Sequence, residues 1–229
     1  PWLLDAHDLC EEGFLQPGDV ASLPGAEAAG SSLDFLLADR RVSVLARQLR
    51  QCWHQLPHCH HAAFDSWRRD QSRWLRDHAA FMVLREQHEG RPWWEWPQSL
   101  AVHDQTALAE WRLEHQGRLL EQELLQWHLN RQWTQLRELA SELDVEILGD
   151  LPFYVARDSA DVWSHRSLFS IAADGRLREQ SGVPPDYFSD FPKACMNGWG
   201  STGLNVTPDG TVLPCHAAAT IPHLSFERV

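Results

Sequence analysis

Residues 147–189 read ILGDLPFYVARDSADVWSHRSLFSIAADGRLREQSGVPPDYFS, and the fold turns on how the first four letters are taken. With the two residues before them they form the run Val145-Glu146-Ile147-Leu148-Gly149-Asp150, mostly apolar and closed by Gly-Asp. This predicts a short buried strand. Just upstream, Leu125, Leu129, Trp133, Leu136, Ala140 and Leu143 recur at spacings of mostly three and four, which predicts a long helix ending near Asp144. A helix feeding a buried strand fits a β/α barrel. Strand C-terminal ends carry the chemistry in that architecture, so Asp150 stands where a substrate-binding carboxylate would sit.

Further toward the N-terminus, Leu45, Leu49, Cys52, Trp53 and Leu56 keep helical spacing from Val42 onward. A second amphipathic stretch runs through Phe64, Trp67, Trp74, Phe81 and Leu84, and Trp93, Trp94, Trp96 and Pro97 then break the pattern. Packing is the expected role of those three tryptophans. Residues 15–33, rich in Gly, Pro, Ala and Ser, read as a loop. The start, Pro1-Trp2-Leu3-Leu4-Asp5, lacks an initiator Met and a basic n-region, and reads as a cut.

The 229 residues are 43% hydrophobic, enough for a sizeable core, and carry a formal net charge of −12. That charge repels phosphate backbones and anionic lipid surfaces, so nucleic-acid and membrane roles are disfavoured, whereas a neutral sugar is compatible. No run approaches the roughly 18 apolar residues of a membrane-spanning helix, and the expected compartment is the cytoplasm. Five cysteines, an odd number in an ordinary composition, read as thiols rather than a disulfide framework. His58-Cys59-His60-His61, with His54 before it, has metal-binding residue types but no spaced partners elsewhere, and reads as a polar helix end or loop.

The tail differs in composition. Residues 190–229 hold the chain's one lysine, Lys193, two of its three asparagines and four of its six threonines, and no glutamine. A seam between two coding histories near residue 189 accounts for this; sampling of rare residues in a short window is the alternative.

The run Gly149-Asp150…Val155-Ala156-Arg157-Asp158-Ser159-Ala160-Asp161-Val162-Trp163…Gly182-Val183-Pro184-Pro185-Asp186-Tyr187-Phe188-Ser189 resembles that of 4-α-glucanotransferases, glycoside hydrolase family 77. WRRDQSRWLRDHAAFMVL, PWWEWP and LLQWHLNRQWTQLRELASELDVEILGDLPFYVARDSADVW resemble the family in the same order. The resemblance covers about residues 1–189. It implies an α/β fold, an incomplete TIM-type (β/α) barrel with a large helical insertion over about 40–140, followed by a short β-hairpin tail. It also implies an α-1,4-glucan such as a maltodextrin as partner and no cofactor. Asp150 matches the family's substrate-region acid at the third strand end, and Asp186, Tyr187 and Phe188 match the mobile loop over bound glucan. Retaining transfer needs two carboxylates about 5–5.5 Å apart. In the family these lie in an R-hydrophobic-D-H-F-R-type and an E-D-L-type motif, and neither occurs in the 229 residues. The catalytic assignment is therefore none, and no turnover is expected. Residue by residue, Asp158, Ser159 and Asp161 suit a cap and turn, and Tyr187 and Phe188 suit packing as well as sugar stacking.

Phe191-Pro192-Lys193-Ala194-Cys195-Met196-Asn197-Gly198-Trp199-Gly200, followed by Leu204 to Gly210 and by Leu213-Pro214-Cys215-His216, resembles the start of the SPASM extension in the radical-SAM protein of pyrroloquinoline quinone biosynthesis. There Cys195 and Cys215 align with two ligands of an iron–sulfur cluster, which takes about four thiolates. The remaining extension cysteines and a CxxxCxxC triplet are absent. Two free cysteines flanking a hairpin, with Pro208-Asp209-Gly210 at its turn, is the other reading. The expected domains are 1–189, barrel-like, and 190–229, of unrelated origin. A non-catalytic glucan-binding remnant and an iron–sulfur fragment stand as alternatives in function.

Overall fold

Nine α-helices follow one another among the described residues: α1 (Ala6–Glu11), α2 (Pro17–Ala21), α3 (Phe35–Trp53), α4 (His58–Asp70), α5 (Leu75–Gln87), α6 (Gln98–Ala101), α7 (Gln105–Glu114), α8 (Gln116–Glu142) and α9 (Ala160–Ser164). The computed structural model describes residues 1–25, 34–149, 155–172 and 174–176. It also gives the backbone of β1 (Ser181–Val183), β2 (Lys193–Cys195), β3 (Asn205–Val206) and β4 (Val212–Leu213). The chain divides into two units, one of Pro1–Arg91 with Asp104–Asp150 and one of Pro92–His103 with Leu151–Val229.

The first unit is helical, and its starts are set by local chemistry. Asp5 accepts from the backbone N–H groups of His7 and Asp8 to cap α1, Asp34 from Leu37 to cap α3, and Asp104 from Ala107 to cap α7. The expected loop over residues 15–33 contains α2. Pro17 sits in its first turn, and the Gln16 N–H donates to Asp19 Oδ2 at 2.9 Å, so a capping box holds a helix that composition concealed.

The amphipathic stretch from Phe64 to Leu84 is two helices, not one. At about 100° per residue, a continuous helix would turn Leu84 about 200° away from Phe64. The break at residues 71–74 lets both be buried, and Trp74, 39% exposed, donates its ring N–H to Gln71 there.

α8 packs against α3, α4, α5 and α7 and is the axis of the unit. Leu124, Leu125 and Trp127 join Leu9, Phe14, Leu45, Leu49, Trp53 and Phe64 in one core. The expected single face is buried only in its first half. Trp133, Leu136, Leu139 and Leu143 are each about half exposed or more, and α8 ends where Asp144 takes a φ of 55° and the Val145 N–H donates to Ala140 O.

The buried strand expected after α8 is not formed by the described residues 145–149. They pair with nothing in a sheet, and Leu148 is 98% exposed. A parallel strand gains its hydrogen bonds and burial only from neighbouring strands, and the described residues supply none beside it. The barrel itself is thus not seen among the described residues.

In the second unit, Ser159 caps α9 by accepting from the Val162 N–H, and α9 leads into a 3₁₀ turn, Arg166–Leu168. Trp93, in the 3₁₀ turn Trp93–Glu95, and Trp96 and Trp163 are buried. β1 pairs antiparallel with β2 (Ser181↔Cys195, Gly182↔Ala194, Val183↔Lys193), and β3 pairs antiparallel with β4 (Asn205↔Leu213, Val206↔Val212). The second ladder brackets Pro208-Asp209-Gly210 as a hairpin requires, and the first joins the residues on either side of the expected seam.

Gly175 closes this framework at a φ of +80°. A Cβ there would lie 2.7 Å from Trp94 Cβ and 3.1 Å from the Trp93 ring. Gly175→Ala is expected to cost about 1–3 kcal/mol from backbone conformation and collision combined, read as a lower midpoint in a tryptophan-fluorescence melt. An unchanged midpoint would show that neither the left-handed backbone nor the two tryptophans oppose a methyl group there.

Candidate functional site

Asp150, Asp186, Tyr187, Phe188 and Cys215 lie outside the described residues, and Cys195 is described only by its backbone in β2. The structure describes the framework downstream of Asp150.

That framework is built from tryptophans and one arginine. The Trp93 ring N–H donates to Arg157 O at 2.8 Å, and its backbone N–H to Asp158 Oδ1 at 3.3 Å. The Arg157 guanidinium lies 3.7 Å from the Trp94 ring centroid and donates through Nε to Gly175 O at 3.0 Å and through Nη2 to the same oxygen. Arg166 lies 5.3 Å over Trp93, and burial pushes its guanidinium below the usual arginine range. The Trp163 ring N–H donates to Leu100 O at 2.9 Å, and its ring meets Trp96 and His103 edge-on. Ser159 therefore serves as a helix cap and Asp158 as a brace, while Trp93 and Trp96 pack. Sequence reasoning missed Arg157 and Gly175. Their signal was Arg157 within the Val155-to-Trp163 motif and a lone glycine after Ala173-Asp174.

The histidines of 58–61 lie in the first turn of α4. The His60 ring meets Phe14 edge-on at 4.7 Å and the His61 ring meets Trp53 at 4.3 Å, so both serve the aromatic core. Among the described residues no group of three or more His, Cys, Asp or Glu is placed to hold a metal, and no helix is long and apolar enough to cross a membrane. Cys10, Cys52 and Cys59 are free thiols, and burial, then Asp19, push the Cys52 thiol up.

The sequence pattern of the 4-alpha-glucanotransferase family, glycoside hydrolase 77, matches residues 6–191. The chain belongs to this family. The 4-alpha-glucanotransferase of Synechocystis is 34% identical over 194 residues, which cover 82% of this chain and 37% of that protein. The chain thus spans little more than a third of its relative's length. An amylomaltase from Streptococcus agalactiae, solved in complex with acarbose, shares the fold with a TM-score of 0.75 at 24% identity, over 87% of this chain and 41% of that one. A PqqA peptide cyclase from Ruegeria pomeroyi is 70% identical over 59 residues, 24% of this chain and 16% of that protein. That second match is longer than residues 192–229, the part that follows the glucanotransferase pattern. The two resemblances therefore share residues.

Proposed function

We propose that these 229 residues are the substrate-loop portion of a 4-alpha-glucanotransferase that moves α-1,4-glucan segments between maltodextrins in the cytoplasm, and that alone they do not turn over. The glucanotransferase pattern over residues 6–191 carries this reading. In it Asp150, at the mouth of a barrel completed by further strands, binds glucan, and Asp186, Tyr187 and Phe188, between β1 and β2, close over it. Strands beside residues 145–149 would also cover Leu148 and the exposed second half of the α8 face. The paired carboxylates of retaining transfer belong to motifs that the sequence does not contain.

Incubation with maltotriose is expected to release no glucose and to form no longer maltodextrin. Disproportionation at any rate above the protein-free control would overturn the claim of catalytic incompleteness.

The 70% identity to a PqqA peptide cyclase supports a second reading, in which the tail is an iron–sulfur SPASM fragment joined to the first 189 residues. The donor set does not fit a cluster. About four thiolates are needed, and within residues 190–229 the sequence supplies two, Cys195 and Cys215. The tail is better read as a hairpin flanked by two free thiols.

A further inference from the structure

We propose that a groove in the helical unit, between α4, α5, α7 and α8, is a binding site for a phosphate-class oxyanion. The groove has a volume of about 880 Å³. Arg68 and Arg69 of α4, Arg76 of α5 and Arg112 of α7 line it, with Asp65 and Glu123 as the carboxylates of its wall. Four arginines lining one groove in a chain of net charge −12 run against the general balance.

Arg112 carries the argument. The residue is only 8% exposed; its Nη2 donates to Asp77 Oδ1 at 2.8 Å, and its Nε and Nη1, both buried, have no acceptor among the described residues. Arginine presents its donors as planar forks in which Nη2 pairs with Nε on one edge and with Nη1 on the other, and the second nitrogen of each fork is here unused. Burying a donor without a partner is costly, so a sequence that keeps one pays for it elsewhere or meets a ligand there.

The other charges leave an excess of cation. Glu123 takes both branches of Arg68, at 3.1 Å each, and Asp77 takes one nitrogen of Arg112. Neither Arg69 nor Arg76 forms an ion pair among the described residues, against one carboxylate, Asp65, in the same wall. Burial first and Arg76 second disfavour the Arg112 charge, and only Asp77 favours it. An anion between Arg76 and Arg112 would offset that repulsion and take up one of the idle donors. The groove is also much larger than an inorganic phosphate, leaving room for an organic tail.

Titration calorimetry of the whole 229-residue chain at fixed ionic strength tests this with inorganic phosphate, glucose 6-phosphate and maltose as probes. Saturable heat is expected with a phosphate probe and none at this site with maltose. Binding of inorganic phosphate and the sugar phosphate with equal affinity assigns the site to the phosphate group, and tighter binding of the sugar phosphate assigns it to an organic phosphate. The exposed Arg76→Gln should weaken either by about tenfold, as expected for one charge-assisted contact, with an unchanged far-UV spectrum. Arg112→Lys keeps the charge beside Asp77 but loses the fork, and should weaken binding comparably. Absence of phosphate binding in the wild-type chain, or equal affinity in Arg76→Gln, overturns the proposal.

Discussion

Trp127→Ala is expected to destabilise the helical unit by about 3–5 kcal/mol, the range for truncating a buried aromatic in a core that relaxes only partly. Trp127 is 3% exposed. Its ring meets Phe14, Trp53 and Phe64 edge-on at centroid distances of 5.7, 5.9 and 5.4 Å, and Arg131 lies 5.3 Å over it. These contacts come from α3, α4, α8 and the segment after α1, so one truncation loosens several elements at once. At about 2–4 °C per kcal/mol for a chain of this size, the melting midpoint should fall by roughly 10 °C. Urea unfolding followed at 222 nm provides the free energy, and Trp127→Phe should recover part of it. A loss below about 1 kcal/mol would mean that the α8 core is not packed as described.

The second large effect concerns acid. His128, one residue along α8, is 1% exposed, with Phe14 and Trp127 against its ring. The Arg131 guanidinium lies 3.2 Å from His128 Nδ1, and since arginine can only donate, Nδ1 accepts and carries no proton. Burial, then Arg131 and His60, push its pKa down to about 3. An unfolded histidine takes up a proton near pH 6.5, whereas the folded one resists it until about 3. The contribution of neutral His128 is therefore fully present above about pH 6.5 and is lost as pH falls from there toward 3, by on the order of 4–5 kcal/mol in total.

Other groups act in the same window. His88, lowered by burial and Arg91, has the same sign; Glu123, raised by burial against the pull of Arg68, has the opposite one, gaining folded stability as pH falls. The measurement is thus a difference. Urea unfolding of the wild-type chain and of His128→Gln should give free energies that draw together as pH falls from 7 to 4.5. A constant gap over that interval would mean that His128 titrates in the folded chain as it does in the unfolded one.

The reach of the sequence varied from element to element. Asp34, Asp104 and Ser159 act on N–H groups three residues away, so these caps are local. The core face of α3 through Leu45, Leu49 and Trp53 follows from helical spacing, as does the end of α8 near Asp144, although α8 begins at Gln116, nine residues before Leu125, where that spacing starts. Buried charge does not follow. Glu121, 1% exposed, receives Arg50 Nε at 2.7 Å from α3 and Arg118 Nη1 at 3.1 Å from its own helix, and a pattern that counts carboxylates as surface residues passes over it. The unused donors of Arg112 escaped for the same reason, because satisfaction of a donor depends on what other helices bring to it.

Order and identity of motifs along the chain were enough to determine the family, since Gly149-Asp150, Val155 to Trp163 and Gly182 to Ser189 must all coincide in sequence. They also determined the compositional change toward residue 229, which needs no structure to be seen. Only the tertiary structure decided that residues 145–149 lie unpaired and exposed, that half of the α8 face is uncovered, and that His60, His61 and His128 serve an aromatic core. The physical reason is the same in each case. A strand, a buried imidazole and an apolar stripe are defined by neighbours far away in the chain, and local spacing records which residues are available for burial without recording what arrives to bury them.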